Sequence, residues 1–186
     1  MRIITGSAKG IKLKTLEGDN TRPTAERVKE AVFSMIQFDL EGRKILDLFS
    51  GSGQMALEAL SRGAAQATLV DKSKEAVAII KDNTQKTKFT DRCRIYQADY
   101  ADFLKKASSE AFDIIFLDPP YASNLYMPAL QGLIDNGSLK PSSLIICESR
   151  DESVFNGDTM ANFSIVKQVR YGTALITLLK INLQEK

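Results

Sequence analysis

Histidine and tryptophan are absent from the 186 residues, and cysteine occurs only at Cys93 and Cys147. Without histidine, and with two distant cysteines, the chain lacks the usual ligand set of a zinc cluster. Each cysteine lies in a strand-like segment, so we expect two buried thiols in a cytosolic protein. We therefore predict no metal, and any catalysis must use carboxylates, hydroxyls, backbone groups or a bound cofactor.

Long apolar runs are also missing. No run reaches the roughly 18 residues of a membrane span, and the opening MRIITGSAKGIKLKTLEG lacks the apolar core of a signal peptide. The hydrophobic content of 44% and charged content of 26% are those of an ordinary globular protein. We expect a cytoplasmic protein with no membrane partner.

Acidic residues are absent from residues 1–16. This stretch predicts a β-hairpin, with strands 2–5 and 11–16 around the turn 6–10. A basic hairpin suits a polyanion, although lysines equally protect the exposed edge of a strand. Its cations are Arg2, Lys9, Lys12 and Lys14.

The rest of the chain alternates between strand and helix patterns. Strands are predicted at 45–49, 68–70, 94–98, 112–117 and 144–147, followed by the alternating segments 164–171 and 173–180. Helices are predicted around 28–36, 55–62, 73–80, 100–107 and 125–135. This order indicates an α/β fold with a mostly parallel sheet covered on both faces, and an antiparallel hairpin at one edge.

The first strand leads into a glycine turn, DLFSGSG. Gly51 and Gly53 allow a tight turn and close approach of a ligand to the backbone. Asp47 lies four residues before Gly51 and would repel a pyrophosphate, so it favours a cationic ligand or holds the loop through backbone N–H groups. The turn alone is a weak signal, because such turns also occur without a nucleotide.

Three more acids end or follow strands. Asp71 could accept both hydroxyls of a ribose, Asp99 could accept from an adenine amine, and Asp118 ends the fourth strand. Each alone is also typical of a helix cap or exposed turn. Together with Asp47 they point to one edge of the sheet, which suits S-adenosylmethionine and does not suit NAD.

The stretch FDIIFLDPPYAS gives that edge a corner rich in acceptors. Pro119 and Pro120 have no N–H, so the corner offers the Asp118 carboxylate and backbone carbonyls. Tyr121 adds a flat ring on which a base could stack. Acceptors and a ring predict a site for a planar amine; the alternative is a strand-ending turn with a core tyrosine.

Several motifs together resemble one family. These are RIITGSAKG, TRPTAERVKEAVFSMI, ILDLFSGSGQMALEALSRGA, LVDKSKEA, FDIIFLDPPY and YGTALITLL. They are similar to the bacterial 16S ribosomal RNA guanine-N2 methyltransferases, which depend on S-adenosylmethionine. Ser50, Gln54, Met55 and Asp71 depart mildly from the usual pattern.

The resemblance implies a Rossmann-like class I methyltransferase fold with a seven-stranded sheet. It implies a β-hairpin extension at 1–20 and a methyltransferase domain at 21–186. It assigns three groups of residues. Cofactor binding falls to Asp47, Phe49, Gly51, Gly53, Asp71, Lys72, Asp99, Tyr100 and Asp118. The target base falls to Asp118, Pro119, Pro120 and Tyr121. RNA binding falls to Arg2, Lys9, Lys12, Lys14, Arg22, Thr24 and Arg27.

The expected reaction is direct methyl transfer to the N2 amine of an unpaired or extruded guanine, by a monomer acting on 16S rRNA in a protein-bound small-subunit particle. Two alternatives stay open at this point. One is an amine methyltransferase for DNA adenine or protein glutamine. The other is a non-catalytic RNA-binding module that retains a relic cofactor pocket.

Overall fold

The computed structural model describes residues 1–16, 23–106, 110–120, 124–155 and 158–182. Within these ranges one sheet of seven strands has the order β3-β2-β1-β4-β5-β7-β6. Its strands are β1 Lys44–Asp47, β2 Gln66–Asp71, β3 Cys93–Gln97, β4 Phe112–Leu117, β5 Leu139–Ser149, β6 Phe163–Tyr171 and β7 Ala174–Ile181. The pairs from β3 through β5 are parallel, and β7 is antiparallel to both β5 and β6. The predicted fold class is confirmed.

In the described part of the chain, five α-helices cover the sheet. They are α1 Pro23–Met35, α2 Gln54–Ser61, α3 Lys74–Thr87, α4 Tyr100–Lys106 and α5 Tyr126–Asp135. One core cluster joins α1, α2 and α3 to one face, and the other joins α4 and α5 to the opposite face. Neighbouring residues such as Ile45 and Leu46 enter different clusters, because successive side chains of a strand point to opposite faces. No described helix is long and apolar enough to cross a membrane.

Local signals in the sequence account for the ends of two helices. Ser73 caps α3 by accepting from the backbone N–H of Ala76, as serine commonly does at this position. Gly63 follows α2 with φ of 108°, which is the left-handed conformation that ends many helices at a glycine. Gly63 thus turns the chain back toward β2, and Ser73 starts the helix through which the chain leaves β2.

β5 is longer than predicted because a side chain replaces part of its ladder. The pairing with β4 shifts register between Phe112 and Ile114. At that irregularity the Ser143 hydroxyl donates to the Phe112 carbonyl at 2.6 Å and accepts from the Lys140 N–H at 2.7 Å. The strand therefore begins at Leu139, before the apolar run that predicted it.

In the predicted N-terminal hairpin, fewer residues pair as strands than expected. The N-terminal segment (residues 1–16) contains one antiparallel bridge, Arg2 to Lys12, in place of two full strands. Side chains from the domain take over the missing bonds: Glu58 accepts from the N–H groups of Ile4 and Thr5 at 2.7 and 3.0 Å. Backbone groups that bond to side chains of the domain are not available for pairing within the hairpin.

The N-terminal segment is also part of the core. Ile3, Ala8 and Leu13 are buried in the same cluster as α1 and α2, and Ser61 Oγ accepts from the Ala8 N–H at 2.9 Å. The segment is therefore packed more closely on the domain than the predicted appendage would be.

Candidate active site

The four acids predicted from the sequence follow neighbouring strands in spatial order. From β3 to β4 the order is Asp99, Asp71, Asp47 and Asp118, because the strands lie in the order β3-β2-β1-β4. Three strand spacings separate the first acid from the last, about 14 Å at roughly 4.8 Å per spacing. We name this side of the sheet the carboxyl edge.

Strand register places the acids at different depths of the carboxyl edge. Asp47 pairs with Leu69 and with Phe116, so Asp71 and Asp118 each lie two residues farther out than Asp47. Asp71 pairs with Gln97, and Asp99 lies two residues beyond that position. Asp47, the deepest of the four, is buried; Asp71 is half-buried, and Asp99 and Asp118 are exposed.

Asp47 is a buried acid. Its side chain is 4% exposed, and among the described residues no atom hydrogen-bonds to its Oδ2. Burial raises the pKa of Asp47 to about 7, and the charge of Asp71 adds to the rise, while a hydrogen bond from the Ala56 backbone N–H opposes it. A buried acceptor with no donor is costly, so this atom fits a ligand that brings a donor or a positive charge.

The glycine loop (residues 50–53) connects β1 to α2. The Ser50 hydroxyl donates to the Asp47 carbonyl at 2.7 Å and accepts from the Val70 N–H at 3.0 Å. Gly51 and Gly53 have φ of 53° and 77°, a region that L side chains rarely adopt. The space beside Gly51 is open, whereas an added Cβ on Gly53 would lie 3.0 Å from Leu69 Cδ2. Gly51 thus leaves room for a ligand, and Gly53 lets α2 pack on the sheet.

Asp71 ties this loop to the next one. Its two carboxylate oxygens accept from the Gly51 N–H and the Ser73 N–H, both at 2.8 Å. Each oxygen of a carboxylate has a second lone pair, so these bonds leave capacity for ribose hydroxyls. Lys72, the next residue, is exposed.

Two aromatic rings lie beside the outer acid. The rings of Phe49 and Tyr100 have centroids 5.3 Å apart and are tilted by 40°. Asp99 precedes α4 and accepts from the Ala101 N–H at 2.9 Å, so it caps the helix. Burial raises the pKa of Tyr100, and the charge of Asp99 adds to the rise. The cap and the predicted contact with adenine are compatible, because the capping bond uses one oxygen.

The target-base corner (residues 118–120) follows β4. Asp118 and Pro120 are exposed, and Pro119 is buried between them. Register pairs Leu117 with Cys147 on β5, and the Asp118 charge, after burial itself, raises the pKa of the Cys147 thiol. The buried proline anchors the corner while both of its neighbours reach solvent. Tyr121 lies outside the described residues.

The predicted RNA-binding residues are only partly brought together. Lys9, Lys12 and Arg27 are exposed. Arg2 forms an ion pair with Glu26 at 3.7 Å, and Lys14 pairs with Asp82. Arg22 and the side chain of Thr24 lie outside what the structure describes.

A buried ionic network escaped the sequence analysis. Glu58 is fully buried, accepts from Arg62 Nε at 2.8 Å and lies 3.6 Å from Lys29 Nζ. Lys29 in turn donates to the Arg2 carbonyl at 2.6 Å, and burial lowers the pKa of Lys29 in spite of Glu58. The available signal was a charged residue inside an apolar helical stripe: Lys29 shares a helix face with Phe33 and Ile36.

Comparisons with known proteins find relatives over most of the chain. The family model described as Conserved hypothetical protein 95 matches residues 1–180. Ribosomal RNA small subunit methyltransferase D of Haemophilus influenzae is 34% identical over 174 residues, which cover 92% of this chain and 89% of that protein.

Two solved structures are also similar to this chain. The structure of yhhF from Escherichia coli matches with a TM-score of 0.86 and 32% identity over 99% of both chains. SMU.776, solved in complex with SAH, matches with a TM-score of 0.60 and 20% identity over 80% of this chain and 49% of that one. At that identity SMU.776 shows a shared fold alone.

Proposed function

We propose that this chain methylates the N2 amine of a guanine in 16S rRNA. The premise is its family: the chain belongs to the Conserved hypothetical protein 95 family and, like the Haemophilus influenzae protein, to the small-subunit rRNA methyltransferases D. The chain is thus an rRNA methyltransferase that uses S-adenosylmethionine. The proposal adds the base, the reacting atom and the residues that act on them.

One observation carries the proposal: four acids lie in order along the carboxyl edge, next to a corner that ends in two prolines. In open α/β sheets, ligands bind beyond the carboxyl ends of the strands. A row of acids there disfavours a pyrophosphate and favours a cation, ribose hydroxyls and amines.

The residues fit the cofactor one part at a time. Asp47 offers a buried oxygen that lacks a donor, Gly51 leaves open space, and Asp71 retains acceptor capacity for ribose. Asp99, with the Phe49 and Tyr100 rings beside it, would bind the adenine, and Lys72 borders this group. When bound, S-adenosylmethionine supplies a sulfonium methyl group that a nucleophile can attack.

The target-base corner would orient the amine. The lone pair of the guanine N2 amine is delocalised into the ring, which makes it a poor nucleophile. If Asp118 and the Pro119 carbonyl accept from its two N–H groups, the lone pair turns out of the ring plane. Pro119 and Pro120 have no N–H, so neither can compete as a donor. Positioning of this kind supplies roughly 7–11 kcal/mol in well-oriented reactions.

The base must leave its stack to reach this corner. We expect Tyr121 to stack on it, and the cations of the N-terminal segment, with Arg22, Thr24 and Arg27, to contact RNA phosphates. The boundary between the extension, 1–20, and the methyltransferase domain, 21–186, is part of this proposal. So are a monomer, a protein-bound small-subunit particle as substrate and a cytoplasmic location.

A transfer assay with methyl-labelled S-adenosylmethionine tests the proposal. It offers naked 16S rRNA, small subunits that lack the modification, duplex DNA and a glutamine-containing protein, each with wild type and with Asp118→Ala. Label in 16S rRNA or the subunit, lost in the variant, is the expected result. Label in DNA or protein would favour the alternative amine methyltransferases, and cofactor binding without transfer to any substrate would favour the RNA-binding relic.

A further inference from the structure

Asn83, on α3, joins two segments that are far apart in the sequence. Its side chain is fully buried. Its Oδ1 accepts from the Lys14 N–H at 2.8 Å, and its Nδ2 donates to the Lys14 carbonyl and to the Ser52 carbonyl, both at 2.9 Å. One amide group therefore satisfies three backbone groups.

The two segments have different tasks in the proposed reaction. Lys14 belongs to the basic N-terminal segment, which would contact RNA. Ser52 lies between Gly51 and Gly53, in the loop that would cradle the cofactor. Because both carbonyls share the Nδ2 of Asn83, displacement of one segment alters the hydrogen bond that holds the other.

A second connection runs in parallel through α2, which begins at the glycine loop. Glu58 holds the N–H groups of Ile4 and Thr5, and Ser61 Oγ donates to the Thr5 carbonyl at 2.6 Å. The N-terminal segment is thus bonded to the helix that follows the glycine loop, and through Asn83 it is also linked to the loop. Asn83 is the contact that reaches the loop directly.

We propose that Asn83 is a positioning residue that couples RNA binding at the N-terminal segment to cofactor binding at the glycine loop. This inference rests on the proposed function. Coupling between two sites is reciprocal, so RNA should tighten cofactor binding by the same factor by which the cofactor tightens RNA binding.

The physical basis is the cost of ordering a loop with two left-handed glycines. A phosphate that fixes Lys12 and Lys14 orders the backbone bonded to Asn83, and the same amide then holds the Ser52 carbonyl in place. A ligand that arrives at an already ordered loop loses less conformational entropy. Asp82, next to Asn83, pairs with Lys14 and would be displaced by the phosphate.

Amide hydrogen exchange tests this link without RNA. Saturating SAH should slow exchange at Gly51 and Gly53, and also at Lys14, whose N–H bonds to Asn83. In Asn83→Ala the loop should still gain protection and Lys14 should not. Protection of the wild-type loop with unchanged exchange at Lys14 would overturn the inference, whereas no protection at the loop would contradict the proposed function itself.

A binding cycle then measures the coupling. SAH affinity is determined with and without saturating 16S rRNA or small subunits, whichever accepts methyl groups. We expect RNA to tighten wild-type SAH binding about fivefold or more, and to tighten it less than about twofold in Asn83→Ala. Asn83→Asp keeps the acceptor for Lys14 and loses both donations, so it should lose the coupling as well.

Thr87→Val is the matched control, because Thr87 is buried on the same helix and, among the described residues, its hydroxyl bonds to the carbonyls of Asn83 and Thr84. It disturbs α3 without touching Lys14 or Ser52, so it should keep the wild-type coupling. Equal loss of coupling in Thr87→Val and Asn83→Ala would mean that Asn83 supports the structure of α3 and has no specific role in the coupling.

Discussion

The Gly51 backbone N–H donates to Asp71 Oδ2 at 2.8 Å, so the acid at the end of β2 holds the loop that follows β1. A residue predicted to bind the ribose therefore also shapes the glycine loop. Replacing Asp71 should therefore affect both ribose binding and the shape of the loop, and a comparison of Asp71→Ala with Asp71→Asn separates the two effects.

Asp71→Ala should weaken SAH binding by about 1.5–3 kcal/mol, the usual range for hydrogen bonds to charged groups. Asp71→Asn retains one acceptor oxygen for the loop and should lose less. Isothermal titration calorimetry measures both. Asp91→Ala removes an exposed acid at the opposite edge of the sheet and should bind SAH as wild type does; unchanged affinity in Asp71→Ala would remove Asp71 from the site.

Asp118→Ala should abolish turnover and leave SAH affinity nearly unchanged, because the exposed carboxylate serves the amine of the target base. Asp118→Asn should retain some activity, since an amide oxygen still accepts a hydrogen bond. Single-turnover rates with saturating cofactor separate this effect from binding. A rate near that of wild type in Asp118→Ala would refute the role of the corner.

Asp47 should make the stability of the protein depend on pH. Its folded-state pKa is raised from 3.8 to about 7, so the folded state retains a proton that the unfolded state loses, and stability falls as pH rises through that window. The full effect is on the order of 4 kcal/mol. Denaturant unfolding of wild type and Asp47→Asn between pH 4 and 8 should show wild type losing stability relative to the variant as pH rises.

The same titration should appear in cofactor binding with the opposite sign. The Asp47 carboxylate attracts the ammonium group of SAH only when it is deprotonated, so wild-type affinity should rise between pH 6 and 8. Asp47→Asn should bind with no such rise. A parallel pH dependence in the two proteins would mean that another group is responsible.

Lys9→Gln with Lys12→Gln should weaken RNA binding and flatten its salt dependence. Each lost phosphate contact lowers the slope of log affinity against log salt by roughly 0.7–0.9. Asp82→Asn, which frees Lys14 from its acidic partner, should instead strengthen RNA binding modestly. Titrations at several salt concentrations measure both. An unchanged slope in the lysine variant would mean that Lys9 and Lys12 do not contact phosphates and instead protect the exposed edge of a strand.

Glu58→Ala should destabilise the protein by about 3–5 kcal/mol, because it leaves the buried Lys29 without its carboxylate and frees two backbone N–H groups. Exchange at Ile4 and Thr5 should rise at the same time. Urea unfolding gives the free energy, with Glu75→Ala, an exposed acid in the first turn of α3, as the control. A loss below 1 kcal/mol would contradict the account of the network.

The sequence was sufficient for the carboxyl edge because a simple rule applies there. Parallel strands end on the same side of a sheet, so Asp47, Asp71, Asp99 and Asp118 could be grouped without knowing the strand order. Their depths could not be predicted, since depth depends on register. Register is what buries Asp47 and leaves Asp118 exposed.

Long-range side-chain contacts account for what the sequence did not reveal. Asn83 and Lys14 lie 69 residues apart, and Glu58 and Ile4 lie 54 apart. No local sequence pattern predicts that a side chain will bond to a backbone group far away in the sequence. For the same reason, the alternation in residues 11–16 predicted a strand but gave no sign that the N–H and carbonyl of Lys14 bond to Asn83 on α3.

The identity of the methylated nucleoside distinguishes transfer to guanine N2 from the alternative reactions. 16S rRNA labelled by the enzyme from methyl-labelled S-adenosylmethionine would be digested to nucleosides and separated beside standards. We expect the label to migrate with N2-methylguanosine and to be absent after reaction with Asp118→Ala. Label in N6-methyladenosine, or in a guanosine methylated on a ring nitrogen, would contradict it.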